Sequence, residues 1–517
     1  MDKKKVVIIG AGPAGITAAK LLVDSFDVII LEADRCIGGI SRTVACENGL
    51  RMDIGGHRFF SKNEEVKRFW LENMPLQGAH SVDDLILGRE NDLCEGGPDP
   101  EKADTVMLTR SRISRILFGG KFFDYPLSLS FQTLRDMGII RSLRAGMGFL
   151  WASVFKKKED SLENFYINRF GKPLYTTFFE NYTEKVWGRH PSQISADWGA
   201  QRVKGLSLRS LISNMFMRVF GKNSDIQTET SLIERFWYPK MGPGQFWETV
   251  AEKAVDAGAV LHFGYKAKRF TCDEAGNLTA VICETEQGEI AVEGDIFISS
   301  MPLDMLTAGL PDLPQKIAEI ASGLVYRDFM TAGLLVDELK IKNKTDRKTL
   351  GDIVPDCWIY VQQPEVKMGR IQIFNNWSPY LLPNAEHQVW LGLEYFTNEG
   401  DMLSSMKDDD FIAFAESELI KLGIISEGAV KFSCCKRMSK AYPAYFGSYD
   451  RIRELRDYLL SIPNLWCVGR NGQHRYNNMD HSMLTAMKTA ACIKKEDFSN
   501  KAAIWDVNAE KEYHVKK

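Results

Sequence analysis

No C-x-x-C pair occurs in the 517 residues, although the chain holds ten cysteines, two of them adjacent at Cys434 and Cys435. This excludes the usual thiolate zinc sites and dithiol motifs, and no metal site is expected. Cysteines scattered in this way read as small buried hydrophobes in a reducing compartment. No apolar run reaches the roughly 18 residues of a membrane span. The charged opening Met1-Asp2-Lys3-Lys4-Lys5 leads into an apolar run that Gly10, Gly12, Pro13 and Gly15 break at once, so no signal peptide is expected. Strong charge of one sign is also missing. The formal net charge is -3, with a pI near 6.3, which argues against a nucleic-acid partner held by bulk charge. There is no internal repeat and no low-complexity segment. The expected location is cytoplasmic.

What is present is a large apolar fraction, 44%, in a chain long enough for two or three domains. Residues 6–9 read as a buried strand, 16–23 as a helix and 28–31 as a second strand, a βαβ start. Strands are expected between about 105 and 125, ending at the Gly119-Gly120 turn, and helices from about 127 to 232. Alternation returns at 260–270, 278–284 and 290–299, with a helix at 245–257 before it. Further strands are expected at 358–362, 370–374 and 389–395, a helix at 409–422, a short strand at 465–468 and a helix at 482–494.

The run Val6-Val7-Ile8-Ile9-Gly10-Ala11-Gly12-Pro13-Ala14-Gly15 is G-x-G-x-x-G between a strand and a helix. Gly10 permits the tight turn, Gly12 lets backbone approach a pyrophosphate, and Gly15 lets helix and strand pack closely. The helix N-terminus then offers free N–H groups and a positive dipole end to phosphate. Glu32, followed by Ala33, closes the second strand, where a carboxylate suits a ribose diol. A second glycine turn with a cation follows at Gly38, Gly39 and Arg42, and then Gly55-Gly56-His57. This longer pattern suits FAD, with Arg42 placed to pair with phosphate. Near the other end, Gly469-Arg470 sits in a turn after a short apolar run.

The two-part glycine pattern and the late Gly-Arg turn resemble the amine oxidase and protoporphyrinogen oxidase superfamily. Several further stretches are similar to UDP-galactopyranose mutase. They are Asp53-Ile54-Gly55-Gly56-His57, the segment 121–126 with Tyr125-Pro126, Lys185-Val186-Trp187, Trp198 with Arg202, and Cys357-Trp358-Ile359-Tyr360. The segment 373–380 ending in Tyr380, Ala441-Tyr442-Pro443, Arg475-Tyr476 and Asp480-His481-Ser482 continue the series in the same order. The resemblance implies ring contraction of a nucleotide sugar, in which reduced flavin attacks the anomeric carbon through N5 and UDP departs. The organic chemistry would then belong to the cofactor. It implies that Arg202 and Arg370 bind the diphosphate bidentately, helped by Tyr380, Tyr442 and Tyr476. It also implies that Trp187, Trp358 and Tyr360 line the sugar or nucleotide pocket, that His57 lies against the flavin ring, and that Asn478 and Met479 join the cofactor contacts. Thr183 stands where the family has an asparagine, and the stretch 476–480 is short, closer to the bacterial enzymes.

The expected fold is α/β. A discontinuous, doubly wound FAD domain is expected at 1–80, 235–320 and 430–495, a helical domain at 127–232, a mixed β-sheet substrate domain at 85–126 and 321–430, and a loosely held polar tail at 496–517. The implied partners are a UDP-hexose and an external reductant such as NAD(P)H or a reductase, within cell-surface polysaccharide or lipopolysaccharide synthesis. Two alternatives compete. One is an FAD-dependent oxidase or desaturase on the same scaffold. The other is a membrane-associated flavin scaffold, suggested by the amphipathic stretch 140–155 and Lys156-Lys157-Lys158. Against the latter, that stretch is expected to be a buried helix.

Overall fold

The computed structural model describes residues 3–125, 131–196 and 235–508. Lys5–Ile9 is the middle strand of a five-stranded sheet in the order Leu465–Cys467, Ile296–Ser299, Lys5–Ile9, Asp27–Glu32, Val260–Phe263. All four pairings are parallel. Val6, Val7, Ile8 and Ile9 are all buried, because both faces of the sheet are covered. Helices Pro13–Leu22, Pro243–Asp256 and Met479–Lys495 pack one face. The antiparallel meander Lys266–Cys272, Leu278–Thr285, Gly288–Glu293 contributes Phe270, Val281 and Cys283 to the core on the other. The class is α/β with a Rossmann-type domain, assembled from pieces nearly 500 residues apart in the chain.

A second, seven-stranded sheet runs Val430–Gly447, Leu324–Val336, Val389–Thr397, Arg370–Ile373, Trp358–Val361, Ser114–Phe118, Lys121–Asp124. Val430–Gly447 corrects one expected boundary. The expected FAD domain includes it, but it pairs along nearly all of Leu324–Val336 as an edge strand of this sheet. Most of its side chains are only half-buried, so it carries no apolar alternation from which the sheet could be read.

Among the described residues, five helices, Phe131–Met137, Ile139–Val154, Leu162–Phe170, Lys172–Phe178 and Glu180–Trp187, form the helical layer. Their core is aromatic, built on Phe165, Tyr166, Phe170, Tyr175 and Phe178. Residues 197–232 of the expected helical domain, with Trp198 and Arg202, lie outside the described residues. Two cations dock the last helix onto the large sheet. Lys185 Nζ donates to the carbonyls of Val361, Gln363 and Met368 at 3.1, 2.7 and 3.1 Å. Arg327 caps the helix C-terminus, donating to Val186 O at 3.1 Å and Lys185 O at 3.2 Å. Gly188 turns away left-handed, at φ +65°, where an added Cβ would meet the Arg327 guanidinium.

Two further expectations are corrected. The helix Ile139–Val154 is not buried; its large apolar side chains face outward, because its contact with the domain is made through small residues. The segment after residue 496 is not loosely held as far as it is described. The 3-10 helix Phe498–Asp506 buries Ile504 and Trp505, and Arg475 donates to the carbonyls of Trp505 and Val507.

Candidate active site

The glycine turn after Lys5–Ile9 has the geometry that a dinucleotide requires. Gly10 sits at φ +101°, and a Cβ on Gly15 would lie 1.9 Å from Gly10 O. Gly12 and Gly39 face each other so closely that a Cβ on Gly39 would stand 3.5 Å from Gly12 Cα. The two glycine turns are thus in contact, and Gly39 is held left-handed at φ +54°, which favours glycine there. No side chain caps the helix that starts at Pro13, and the first turn, with Ala14 and Gly15, leaves its N-terminus to a ligand.

Glu32 braces this turn from below. Its carboxylate accepts from Ala11 N at 2.7 Å and from Asp34 N at 2.9 Å, and each oxygen retains a lone pair for a ribose hydroxyl. Ala33 beside it is exposed. Arg42 is tied to Asp34 and Cys36 through Nη1, while its buried Nε has no hydrogen-bond partner. That orphaned donor, beside the left-handed Gly38, fits a phosphate oxygen. Gly469, at φ +78°, closes the turn from the far side, where a Cβ would press on Ala14 Cβ at 3.1 Å. Asn478 caps the helix that begins at Met479, with its own N–H donating to His481 Nδ1 at 3.4 Å.

The loop Gly55-Gly56-His57 connects this cradle to the large sheet. Gly56 is exposed, yet a Cβ there would meet Gln372 Nε2 at 2.8 Å and the Trp377 ring at 3.3 Å. Gln372 Nε2 donates to Glu394, and Glu394 pairs with Arg370. Burial opposes the charge on Arg370, but Glu394 overcomes this and holds the guanidinium above its ordinary value. Arg370 Nη2 donates to the Tyr442 hydroxyl at 3.2 Å. Burial pushes that phenol up to about 12, so it stays a neutral donor.

Arg470 approaches from the other side. Its guanidinium lies 5.4 Å from the Tyr442 ring and 4.8 Å from the Tyr476 ring. The two rings stack at 5.5 Å. Arg470 also donates to Asn477 O and Ala441 O, so it locks both tyrosine-bearing segments together. Trp187 meets Tyr476 edge-on at 6.2 Å. Burial, with Arg470 and Arg370 adding to it, pushes His57 down to about 3. The imidazole is therefore neutral across the physiological range.

Trp358 and Tyr360 occupy the next part of the wall. Trp358 stacks on Trp377 at 5.4 Å, and Tyr360 packs between Tyr125 at 4.4 Å and Tyr182 at 5.6 Å. Thr183 is buried on the adjacent helix. Two arginines not singled out in the sequence reading stand here. Arg112 lies 5.9 Å from both the Tyr125 and the Trp358 ring, and Arg58 is within electrostatic reach of Arg112, Tyr360 and Tyr125. The signal for Arg58 was its place directly after Gly-Gly-His. The signal for Glu394 was equally plain, as the lone acid in the apolar run Val389–Thr397.

Tyr380 departs from its expected place. Its hydroxyl pairs with Glu101 and accepts from Val82 N at 3.3 Å, and Lys240 lies 4.6 Å from its ring. These partners draw it into a separate polar cluster near Ser81 and Arg110 rather than to Tyr442. Arg202 lies outside the described residues; among the described residues, Arg370 and Arg470 stand on either side of Tyr442. Among the described residues no group of three His, Cys, Asp or Glu is placed to hold a metal ion.

The fold and this cradle define a protein with a Rossmann-type dinucleotide-binding domain and a second, seven-stranded sheet. Residues 8–72 match the NAD(P)-binding Rossmann-like domain family. The chain takes the fold of UDP-galactopyranose mutase. A structure of the reduced form of that enzyme superposes over 97% of this chain and 99% of its own, with a TM-score of 0.74 and 21% identity. Putrescine oxidase bound to putrescine superposes over 95% of this chain and 99% of its own, at a TM-score of 0.59 and 14% identity. By sequence, 56 residues are 46% identical to flavin-containing amine oxidase B of Cavia porcellus. The same length is 48% identical to lysine-specific histone demethylase 1 of Caenorhabditis elegans. Those matches cover 11% of this chain and only 11% and 7% of the two relatives.

Proposed function

We propose that this chain is an FAD-dependent sugar-nucleotide mutase, active with reduced flavin on a UDP-hexose. The reading is carried by one observation. Next to a dinucleotide cradle stands a wall of arginines and phenols, with Tyr442 held between Arg370 and Arg470. Such a wall suits a diphosphate, since guanidinium forks and phenol hydroxyls donate to phosphate oxygens and accept nothing from them in return. An oxidase of amines or polyenes wants an apolar channel instead. The sequence matches to amine oxidases lie within one short stretch and cannot weigh on the substrate.

A bound reduced flavin would supply the nucleophile at the anomeric carbon. The protein's part is to hold the diphosphate while the sugar departs from it and returns. Glu394 orients Arg370, Arg470 fixes Tyr442 and Tyr476, and the rings of Trp187 and Tyr360 exclude water from the sugar. Neutral His57 keeps a further positive charge away from the flavin edge. The place for such an enzyme is the synthesis of a cell-surface polysaccharide or lipopolysaccharide.

The test is incubation of the holoprotein with UDP-galactopyranose and a small panel of UDP-hexoses, with and without dithionite, followed by chromatography. Furanose product that forms only after reduction supports the reading. Oxygen consumption with an amine, and no isomer from any UDP-sugar, overturns it in favour of an oxidase.

A further inference from the structure

The helix Ile139–Val154 is turned inside out relative to an ordinary surface helix. Its buried positions are the small residues Ala145 and Ala152, and Gly148 lies so close to Pro173 that a Cβ would fall 2.4 Å from Pro173 Cδ. Its large residues point away from the protein. Ile139 is 79% exposed, Leu143 63%, Met147 64%, Leu150 66%, Trp151 67% and Val154 73%. At 3.6 residues per turn these six fall within an arc of about 120°. Globular surfaces expose apolar residues singly, and a contiguous stripe of this kind marks an interaction site.

The charges on the helix itself are of one sign. From residue 137 to 158 there is no aspartate or glutamate, while Arg141, Arg144, Lys157 and Lys158 are exposed. Among the described residues, neither Arg141 nor Arg144 forms an ion pair. A second copy of the chain laid on this stripe would bring like charges together, with no acid on the helix itself to answer them. An anionic lipid surface answers them directly. The cations meet headgroups while Leu143, Leu150 and Val154 enter the acyl boundary, and Trp151, stacked on Phe155 at 4.3 Å, sits at the interface between them. No helix among the described residues is long and apolar enough to cross a membrane, so the contact would be a surface one.

We infer that this helix docks the protein on an anionic membrane surface, lying in the interface plane. The inference stands on the helix alone and is independent of the reaction proposed above.

Flotation of the full-length holoprotein tests it, with phosphatidylcholine vesicles compared with vesicles that also contain phosphatidylglycerol. The expected result is flotation with the anionic vesicles, at least 10-fold less with the neutral ones, and a decline as salt is raised. Leu150→Glu with Trp151→Glu should abolish flotation, and Arg141→Glu with Arg144→Glu should weaken it. These positions face solvent, so flavin absorbance and the melting temperature should remain at wild-type values. Absence of flotation, or flotation that the Leu150 and Trp151 changes leave intact, overturns the inference. Light scattering that shows a dimer broken by the same changes, with no vesicle binding, also overturns it and assigns the face to a second copy.

Discussion

Glu394 lies wholly buried beneath Arg370 and sets the direction of that guanidinium. The carboxylate takes one side of the fork, which leaves Nη2 for the Tyr442 hydroxyl. A buried acid next to a functional arginine means that the two cannot be altered independently.

Arg370→Lys is therefore the informative change. A lysine keeps a charge opposite Glu394 but loses the fork, and UDP affinity should fall by about 10- to 100-fold, the loss of one or two charge-assisted hydrogen bonds. Flavin content should not change, because Arg370 touches no part of the glycine cradle. Arg370→Ala should in addition lower stability by about 3 kcal/mol, since it leaves Glu394 buried without a counter-charge. Titration calorimetry with UDP and a thermal melt separate the two effects. Wild-type affinity in the lysine variant would remove Arg370 from the site.

Gly15→Ala should yield protein without flavin. The new methyl would lie 1.9 Å from Gly10 O, so the helix must move off the strand, and the turn that faces the pyrophosphate moves with it. The ratio of flavin to protein absorbance after purification is the measurement. Full flavin occupancy would show that the cofactor does not use this turn.

Asp53 should impose a pH dependence on stability. Burial pushes its carboxyl up to about 7, against hydrogen bonds from Tyr238 and Thr43. A carboxyl whose folded value is raised stabilises the fold while it stays protonated, and that contribution is lost as pH rises through 7. Between about pH 4 and pH 7 stability should fall by about 1 kcal/mol per pH unit from this group alone, and above 7 the contribution is flat because both states are ionised. The urea midpoint should be lower at pH 7 than at pH 5 in the wild type, and Asp53→Asn should remove most of the difference. An equal slope in the variant would assign the effect to other groups.

His57 should be silent in the pH profile of the reaction. With its value pushed down to about 3 it does not titrate between pH 5 and 8. The profile of kcat/KM should show no limb near the ordinary histidine value that His57→Asn removes. A limb near 6.5 that vanishes in the variant would mean that the imidazole gains a proton in the working enzyme. As to stability, a lowered histidine value favours the fold above its unfolded value, and this advantage is lost between about 6.5 and 3.

The nucleotide half was legible because its constraints are local. Gly10, Gly12, Gly15 and Glu32 lie within one βαβ unit, so the spacing of the residues is itself the geometry. The strand Val430–Gly447 was not legible, because most of its side chains are only half-buried and neither face carries an apolar alternation. The fate of Tyr380 was not legible either. Its contacts with Glu101 and Lys240 bridge more than 130 residues of chain, and no local rule anticipates them.

By itself, the sequence determined that a dinucleotide cradle would form at the start of the chain, since only glycine readily permits the positive φ of Gly10 and the close approach of Gly15 to Gly10 O. Tertiary structure alone decided which cations meet at Tyr442. Arg370, Tyr442 and Arg470 are brought together by the pairing of distant strands and by the Arg470 clamp, contacts whose free energy depends on packing rather than on neighbours in sequence. It also decided that the helix Ile139–Val154 shows its large side chains to the outside. An amphipathic period states that one face is apolar, and only the packing of Ala145, Gly148 and Ala152 against the domain states which way that face turns.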